Sequence, residues 1–312
     1  MASRVVLVGV GRISPAHLRA LEGVEAVEDV VGVDPNPRAA ASFRQAPLPI
    51  EQDLRRALSA GSDLVVVATP TASHAAVVAA VRACDARVPI LLEKPAASRR
   101  RDADEVLADA ALEVILHSGF ASQVIWATEF YGSQKSRFGE LVAFEAWFGN
   151  PYAPDREERA ASLGNSWLDS GINALSVIGR FAIPATAESF RALDADASTF
   201  EARLSLGEPG EGHKGTIFTT WQAAGHSYWT RLRFAGGGEL VLDDIAGAAT
   251  VYENGVVTES FTRSHGGDRL ERHYASFYGD YFGPRRWQYP AGADRALHGL
   301  LFSALELLAT RC

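Results

Sequence analysis

Cysteine is almost absent from this 312-residue chain: only Cys84, in a helical stretch, and Cys312, at the end, are present. Two such residues cannot build a disulfide framework, which fits a reducing compartment. Long apolar runs are also missing. The longest, between Asp63 and Thr69, is of strand length and far too short to span a bilayer. The first residues lack the apolar core and small-residue cleavage site of a signal peptide. Positive charge is in deficit, with 30 Lys+Arg against 38 Asp+Glu, a net charge of -8 and a pI near 5.5. Such a surface repels phosphate backbones, which argues against nucleic acid and anionic membranes as partners. His213, His226, His265, His273 and His298 form no i,i+4 pair and no HxH spacing, so no metal site is expected. These absences point to a soluble, cytoplasmic chain.

What is present is ordinary globular composition, 47% hydrophobic and 22% charged, in a chain long enough for two domains. Residues 4–8 form an apolar β-branched run that stops at Gly9, and Ser14 and Pro15 suit the N-cap and first position of a helix. Further apolar runs at Val30–Val33, Asp63–Ala68, Val88–Leu92 and Glu113–Leu116 alternate with helical text at His74–Ala83 and Arg99–Ala111, and in Ala-rich sequence after Asp34. Strands apolar throughout, alternating with helices, predict a parallel sheet covered on both faces. Past residue 118 the texture changes. Helices are expected at Ser122–Lys135 and Trp167–Phe181, and a long strand at Leu141–Phe148. Strand text follows at Glu188–Leu193, Phe200–Leu206, Gly215–Gln222, Tyr228–Phe234, Glu239–Asp243 and Thr250–Glu253, with a hairpin signal at Asn254-Gly255. Consecutive strands without helices predict an open, mostly antiparallel sheet. Two helices, Arg269–Phe282 and Gly292–Thr310, close the chain. The expected fold class is therefore α/β: a Rossmann-type, doubly wound parallel sheet over 1–118, then an α+β domain over 119–312. The last helix is expected to pack back on the first domain.

The segment GVGRIS, with Gly9, Gly11, Arg12, Ile13 and Ser14, follows the first strand and opens a helix, where a dinucleotide fingerprint belongs. Gly9 would allow the tight turn, Gly11 would let the backbone approach a pyrophosphate, and the helix terminus would supply free N–H groups. Serine stands at the third glycine position and is small enough for close packing. Asp34, at the tip of the second strand, lies 23 residues after Gly11, near the ~20 expected for the acidic residue that grips the ribose. That carboxylate favours NAD over NADP. Arg38 leaves NADP open, since it could reach a 2′-phosphate or simply be a solvated charge.

Three segments lie at the carboxyl ends of predicted strands, where open α/β sheets bind ligands. They are Thr69–His74, Glu93-Lys94-Pro95 and His117–Phe120. A lysine ending a buried strand is costly unless it is partnered, faces a cleft or turns to solvent. The order and spacing of GVGRIS, ATPTASH, LLEKPAA and LDSGINALSVI resemble the glucose–fructose oxidoreductase/inositol dehydrogenase (Gfo/Idh/MocA) family across essentially the whole chain. The helix motif matches D-x-G-x-H-x-x-D as Asp169, Gly171, Asn173 and Ser176, with asparagine and serine where the family has histidine and aspartate. The INALS form is similar to the L-arabinose/D-galactose 1-dehydrogenase branch, whereas Asn150–Ser166 does not align.

The resemblance implies an NAD(P)-dependent sugar dehydrogenase in which Gly9, Gly11, Arg12, Ile13, Asp34, Arg38, Thr69, Pro70, His74, Glu93 and Lys94 line the cofactor. Lys94, His117, Asp169 and Asn173 meet the substrate, and Lys94, Asp169 and Asn173 are catalytic. Lys94 is the candidate base, Asp169 orients it or binds a hydroxyl, and Asn173 hydrogen-bonds without carrying a proton. On the residues alone, Asp169 could equally cap the following helix and Asn173 could bond backbone. Oxidation of an aldopyranose at C1 to the lactone is the leading expectation. Two others stand beside it: a ketoreductase acting on an activated or nucleotide-linked sugar, for which Arg156, Arg159 and Arg180 could form a basic patch, and a non-catalytic dinucleotide-binding regulator. Trp147, Trp167, Trp221 and Trp229 could stack on a sugar, although strand aromatics are more often core. The exposed face of the open sheet suits a homo-oligomer, dimer or tetramer.

Overall fold

The computed structural model describes residues 3–36, 38, 48–207, 212–263 and 267–309. Most of the Ala-rich text after Asp34, His265 and the end of the last helix lie outside them. The chain forms two compact units, one of residues 1–115 with 270–288 and one of residues 116–269 with 289–312.

The first unit is built on six parallel strands: β1 (Ser3–Val8), β2 (Val27–Val33), β3 (Ile50–Glu51), β4 (Leu64–Val67), β5 (Ile90–Glu93) and β6 (Leu112–Ile115). Their order is β3-β2-β1-β4-β5-β6, with β1 paired in parallel to both β2 and β4. Val5, Val6, Leu7, Val65, Val66, Val67, Leu91 and Leu92 are fully buried, as strands covered on both faces require. The helices are α1 (Ser14–Glu22), α2 (Leu54–Ser59), α3 (His74–Cys84), α4 (Arg100–Val106) and most of α8 (Arg269–Tyr281). The segment that joins this unit from the far end of the chain is 270–288.

The second unit carries an eight-stranded sheet in the order β14-β13-β12-β11-β7-β10-β9-β8. Its strands are β7 (Leu141–Pro151), β8 (Thr186–Ala192), β9 (Thr199–Ser205), β10 (Lys214–Thr220), β11 (Gln222–Phe234), β12 (Gly238–Asp243), β13 (Ala248–Glu253) and β14 (Val256–Thr262). Every neighbouring pair is antiparallel except β7 with β10. Asn254 and Gly255 both adopt positive φ between β13 and β14, the requirement of the tight hairpin their sequence signals. Strand β11 is longer than expected because it bulges between Gln222 and Ser227 before resuming its register with β7.

The helices here are α5 (Ser122–Phe138), α6 (Arg156–Leu163), α7 (Ile172–Gly179) and α9 (Ala293–Ala309). α6 lies in the polar stretch that carried no helical expectation. A π-helical turn, Trp167–Gly171, runs directly into α7. Wide turns of this kind often accompany functional positions. Trp167 anchors it: the indole is fully buried, packs on Phe190 with ring centres 5.1 Å apart, and donates to the Leu301 carbonyl at 2.8 Å. Among the described residues no helix is long and apolar enough to cross a membrane.

Removing that indole leaves a cavity and removes a side-chain hydrogen bond to α9. Trp167→Ala is expected to cost about 3–5 kcal/mol in denaturant unfolding; a loss below about 1 kcal/mol, on the same scale, would show that the π turn is anchored elsewhere.

Candidate active site

The first candidate surface is the carboxyl edge of the parallel sheet. Gly9 has φ +92, and a Cβ there would sit 2.8 Å from the Ala68 carbonyl oxygen and the Thr69 nitrogen. Glycine is therefore obligatory, because the turn runs against the end of β4. Beside Gly11, by contrast, no atom lies within 4 Å of a notional Cβ, so its backbone faces open space. Ser14 corrects the expectation of an N-cap. It is the first residue of α1, Ile13 is the cap position, and the fully buried Ser14 hydroxyl donates to the Gly9 carbonyl at 2.7 Å. The serine at the third glycine position thus closes the turn that the first glycine opens. Asp34 reaches the same turn, its Oδ2 accepting from the Val10 amide at 2.9 Å and its Oδ1 from the Asn36 amide at 2.8 Å. Arg12 and Arg38 are exposed.

At the end of β4, Thr69 keeps its Oγ1 buried and without a hydrogen-bond partner, while Pro70 leads into a short 3-10 turn, Thr71–Ser73. Open space at Gly11, a carboxylate at the tip of β2 and an unsatisfied hydroxyl at the next strand end fit a dinucleotide. His74 does something different from lining the surface. It is buried, with Nε2 2.9 Å from the Thr69 carbonyl and Nδ1 3.0 Å from the Pro95 carbonyl, and the neutral ring donates to one of the two. Burial holds its pKa below the ordinary value, even though both carbonyls and Glu93 favour the charged ring.

Beyond it, Glu93 ends β5 with a buried carboxylate. It accepts from the Tyr274 hydroxyl at 2.7 Å and from the Lys94 amide at 3.2 Å, and lies 3.2 Å from His17 Nε2. His17 Nδ1 is 2.8 Å from the Tyr278 hydroxyl. Burial alone would push the Glu93 carboxyl up, but His17, Lys94 and Tyr274 together hold it below the ordinary carboxylate range. Lys94 follows on the half-buried turn, joined to Pro95 by a cis peptide bond.

The second candidate surface lies in the other unit, around the π turn. Asp169 is 7% exposed and sits inside that turn rather than capping a helix. Its Oδ2 lies 3.4 Å from both Trp221 Nε1 and Ser170 Oγ. Asn150, on β7, donates to Ser170 Oγ at 2.9 Å and accepts from the Tyr228 hydroxyl. His226 Nδ1 lies 2.6 Å from that hydroxyl and 3.1 Å from Asn150 Oδ1. Asn173 Nδ2 points to the Asp169 backbone carbonyl at 3.3 Å, the backbone-bonding alternative. His117 is buried in a 3-10 turn, with Nδ1 3.4 Å from Ser118 Oγ.

The structure thus groups Gly9, Gly11, Ile13, Asp34, Thr69, His74, Glu93 and Lys94 on one sheet edge of the first unit, and Asp169 and Asn173 on the π turn of the second. Sequence reasoning missed His17, Tyr274 and Tyr278, and the roles of Asn150, His226 and Tyr228. Except for His226 with Tyr228, two residues apart, their partners are 20 or more residues away, beyond any local spacing signal. Among the described residues, no group of three or more His, Cys, Asp or Glu is placed to hold a metal.

Residues 3–120 match the family model described as "Oxidoreductase family, NAD-binding Rossmann fold" (GFO_IDH_MocA). No curated protein matches the sequence. Solved structures share the fold over the full length. An Agrobacterium radiobacter oxidoreductase in complex with NAD+, L-tartaric acid and magnesium superposes with TM-score 0.79 at 14% identity, covering 100% of this chain and 98% of its own. GenD2 from gentamicin A biosynthesis, in complex with NAD, gives 0.76 at 21% identity, covering 100% and 95%. An inositol dehydrogenase homologue from Azotobacter vinelandii, complexed with NADH and myo-inositol, gives 0.74 at 16% identity, covering 98% and 96%.

His74 generates a pH dependence. Because its folded pKa lies below the ordinary 6.5, the unfolded chain binds a proton that the native ring refuses. Its contribution to stability is complete above pH 6.5 and is lost as pH falls below it, with a limiting slope of about 1.4 kcal/mol per pH unit. Denaturant unfolding between pH 7.5 and 5.5 should therefore show a shallower slope in His74→Gln than in the native chain; equal slopes would remove His74 as the cause.

Proposed function

We propose that this chain is an NAD-dependent dehydrogenase that oxidises an aldopyranose at C1 to its lactone, with Lys94 receiving the hydroxyl proton. The observation that carries the reading is the Glu93-Lys94 turn. A lysine stands at the end of a central parallel strand, on the edge that carries the dinucleotide features, beside a buried carboxylate that accepts its amide. A nicotinamide dinucleotide bound at Gly9, Gly11, Thr69 and Asp34 supplies the hydride acceptor. Asp34 prefers a free ribose there, because its negative charge repels a 2′-phosphate.

Lys94 accepts the proton that leaves as the alcohol becomes a carbonyl. Asp169 accepts a hydrogen bond from a sugar hydroxyl, held for that by Trp221 and Ser170. Asn173 cannot take a proton at neutral pH, so proton transfer falls to Lys94 alone. An anomeric hydroxyl, more acidic than a secondary alcohol, suits a site with a single base.

The arrangement of arginines weighs against a nucleotide-linked substrate. Arg156 pairs with Asp196, and Arg180 is clamped between the Phe120 and Tyr289 rings at 4.3 and 3.9 Å while donating to the Gly119 carbonyl. Both are already engaged within the chain, whereas Arg159 has no carboxylate partner among the described residues.

The test is a panel of free aldoses with NAD and with NADP, following the absorbance of the reduced cofactor. Turnover with NAD is expected, and Lys94→Ala should lose 10²–10⁴-fold in kcat, roughly the range for a general base, with NADH affinity nearly intact. An active Lys94→Ala contradicts the mechanism. Turnover of activated keto sugars alone would put the reductive reading ahead.

A further inference from the structure

Several arginines of the second unit are matched by carboxylates. Arg137 pairs with Glu253, Arg156 with Asp196, Arg191 with Glu201 and Arg269 with Asp244. Arg159, half-buried on α6, makes no ion pair or hydrogen bond among the described residues, and its Nε is buried without a partner. Its guanidinium lies 4.0 Å over the Tyr152 ring. Tyr152 in turn packs edge-on to His226, with centres 6.1 Å apart, and against Trp221 at 6.2 Å, and Trp221 reaches Asp169. The unpaired cation is thus three contacts from Asp169, along one aromatic-lined surface.

From this geometry we propose that Arg159 recognises an anionic substituent, carboxylate or phosphate, on the sugar bound at Asp169. The inference rests on the reading of Asp169 and its neighbours as the substrate site, and it narrows the substrate from neutral aldopyranoses to acidic ones.

Three further observations support it. First, a buried guanidinium donor without an acceptor costs about 1–3 kcal/mol, a cost that a bound oxyanion removes. Second, the planar fork of arginine forms paired hydrogen bonds with carboxylate or phosphate oxygens, and the Tyr152 ring fixes its plane. Third, the local charges leave Arg159 unneutralised. Asp244 accepts from both Arg269 and Gln123, at 2.7 Å each, and so cancels Arg269. Asp169 is the remaining negative group, and it is already engaged with Trp221 and Ser170. His226, exposed at the rim, feels both cations: burial, then Arg269 and Arg159, push its pKa down against Asp169. A surface with a positive end at Arg159 and a negative end at Asp169 fits a polyhydroxylated anion, with hydroxyls toward Asp169 and the acidic group toward Arg159.

The experiment is calorimetric titration of the NADH-loaded protein with galacturonate and glucuronate, their neutral parents galactose and glucose, and the corresponding 6-phosphates. At least one anion is expected to bind ten-fold or more tighter than its neutral parent. In Arg159→Met that preference should fall at least ten-fold, and in Arg159→Lys by less. Dependence seen with the uronates assigns the anion as carboxylate, and with the 6-phosphates as phosphate; either supports the inference. Equal binding of neutral and anionic sugars, or an unchanged preference in Arg159→Met, overturns it. The two readings fail separately. An Arg159-dependent anion preference with no oxidation of any free sugar would overturn the lactone-forming reaction alone. Oxidation of neutral sugars with no such preference would overturn only the anion subsite.

Discussion

The first unit depends on how one buried carboxylate is accommodated. Glu93 ends a central strand in the protein interior, where a bare negative charge would be costly. The molecule meets that cost with a phenol from α8, an imidazole from α1 and the backbone amide of Lys94. Each contact draws in a different part of the chain. His17 sits on the helix that opens at the glycine turn, so Glu93 couples the β5 end to that turn. Tyr274 and Tyr278 lie more than 180 residues downstream, which explains why 270–288 joins this unit rather than the one around it in sequence. Because Lys94 is the next residue after Glu93, what fixes the carboxylate also fixes the backbone that presents the lysine.

The second unit solves a comparable problem with neutral groups. Asn150, Ser170 and Tyr228 form a buried chain of hydrogen bonds that ends on Asp169 and, at the rim, on His226. The chain requires β7, β11 and the π turn to hold a fixed spacing, and the Trp167 anchor on α9 supplies part of that restraint. The asparagine that replaces histidine at 173 turns toward backbone.

The architecture was largely legible in the residue pattern. Unbroken apolar strands between helices gave the parallel sheet, and alternating strands with Asn-Gly and Gly-rich turns gave the open one, since both signals are local. The glycine turn and Asp34 were readable because their spacing reflects one βαβ unit. Four things were not. The role of Ser14 depends on a hydroxyl turning back five residues, while a cap reading of the same residue was equally consistent with its sequence. The π turn at 167–171 has no periodicity distinct from an α-helix over so few residues. His17, Tyr274 and Arg159 draw their meaning from partners, or from the lack of one, that only the folded chain defines. The helix at 156–163 was missed because it is polar and exposed on most faces and so shows no apolar stripe.

The most direct test of the account is the coupling between His17 and Glu93. A double-mutant cycle of His17→Ala and Glu93→Ala, read as unfolding free energy in denaturant, isolates their interaction from the individual costs. The account predicts a coupling energy of at least about 1 kcal/mol, as for buried residues in one hydrogen-bond network. Additivity within about 0.3–0.5 kcal/mol, the behaviour of independent sites, would contradict it.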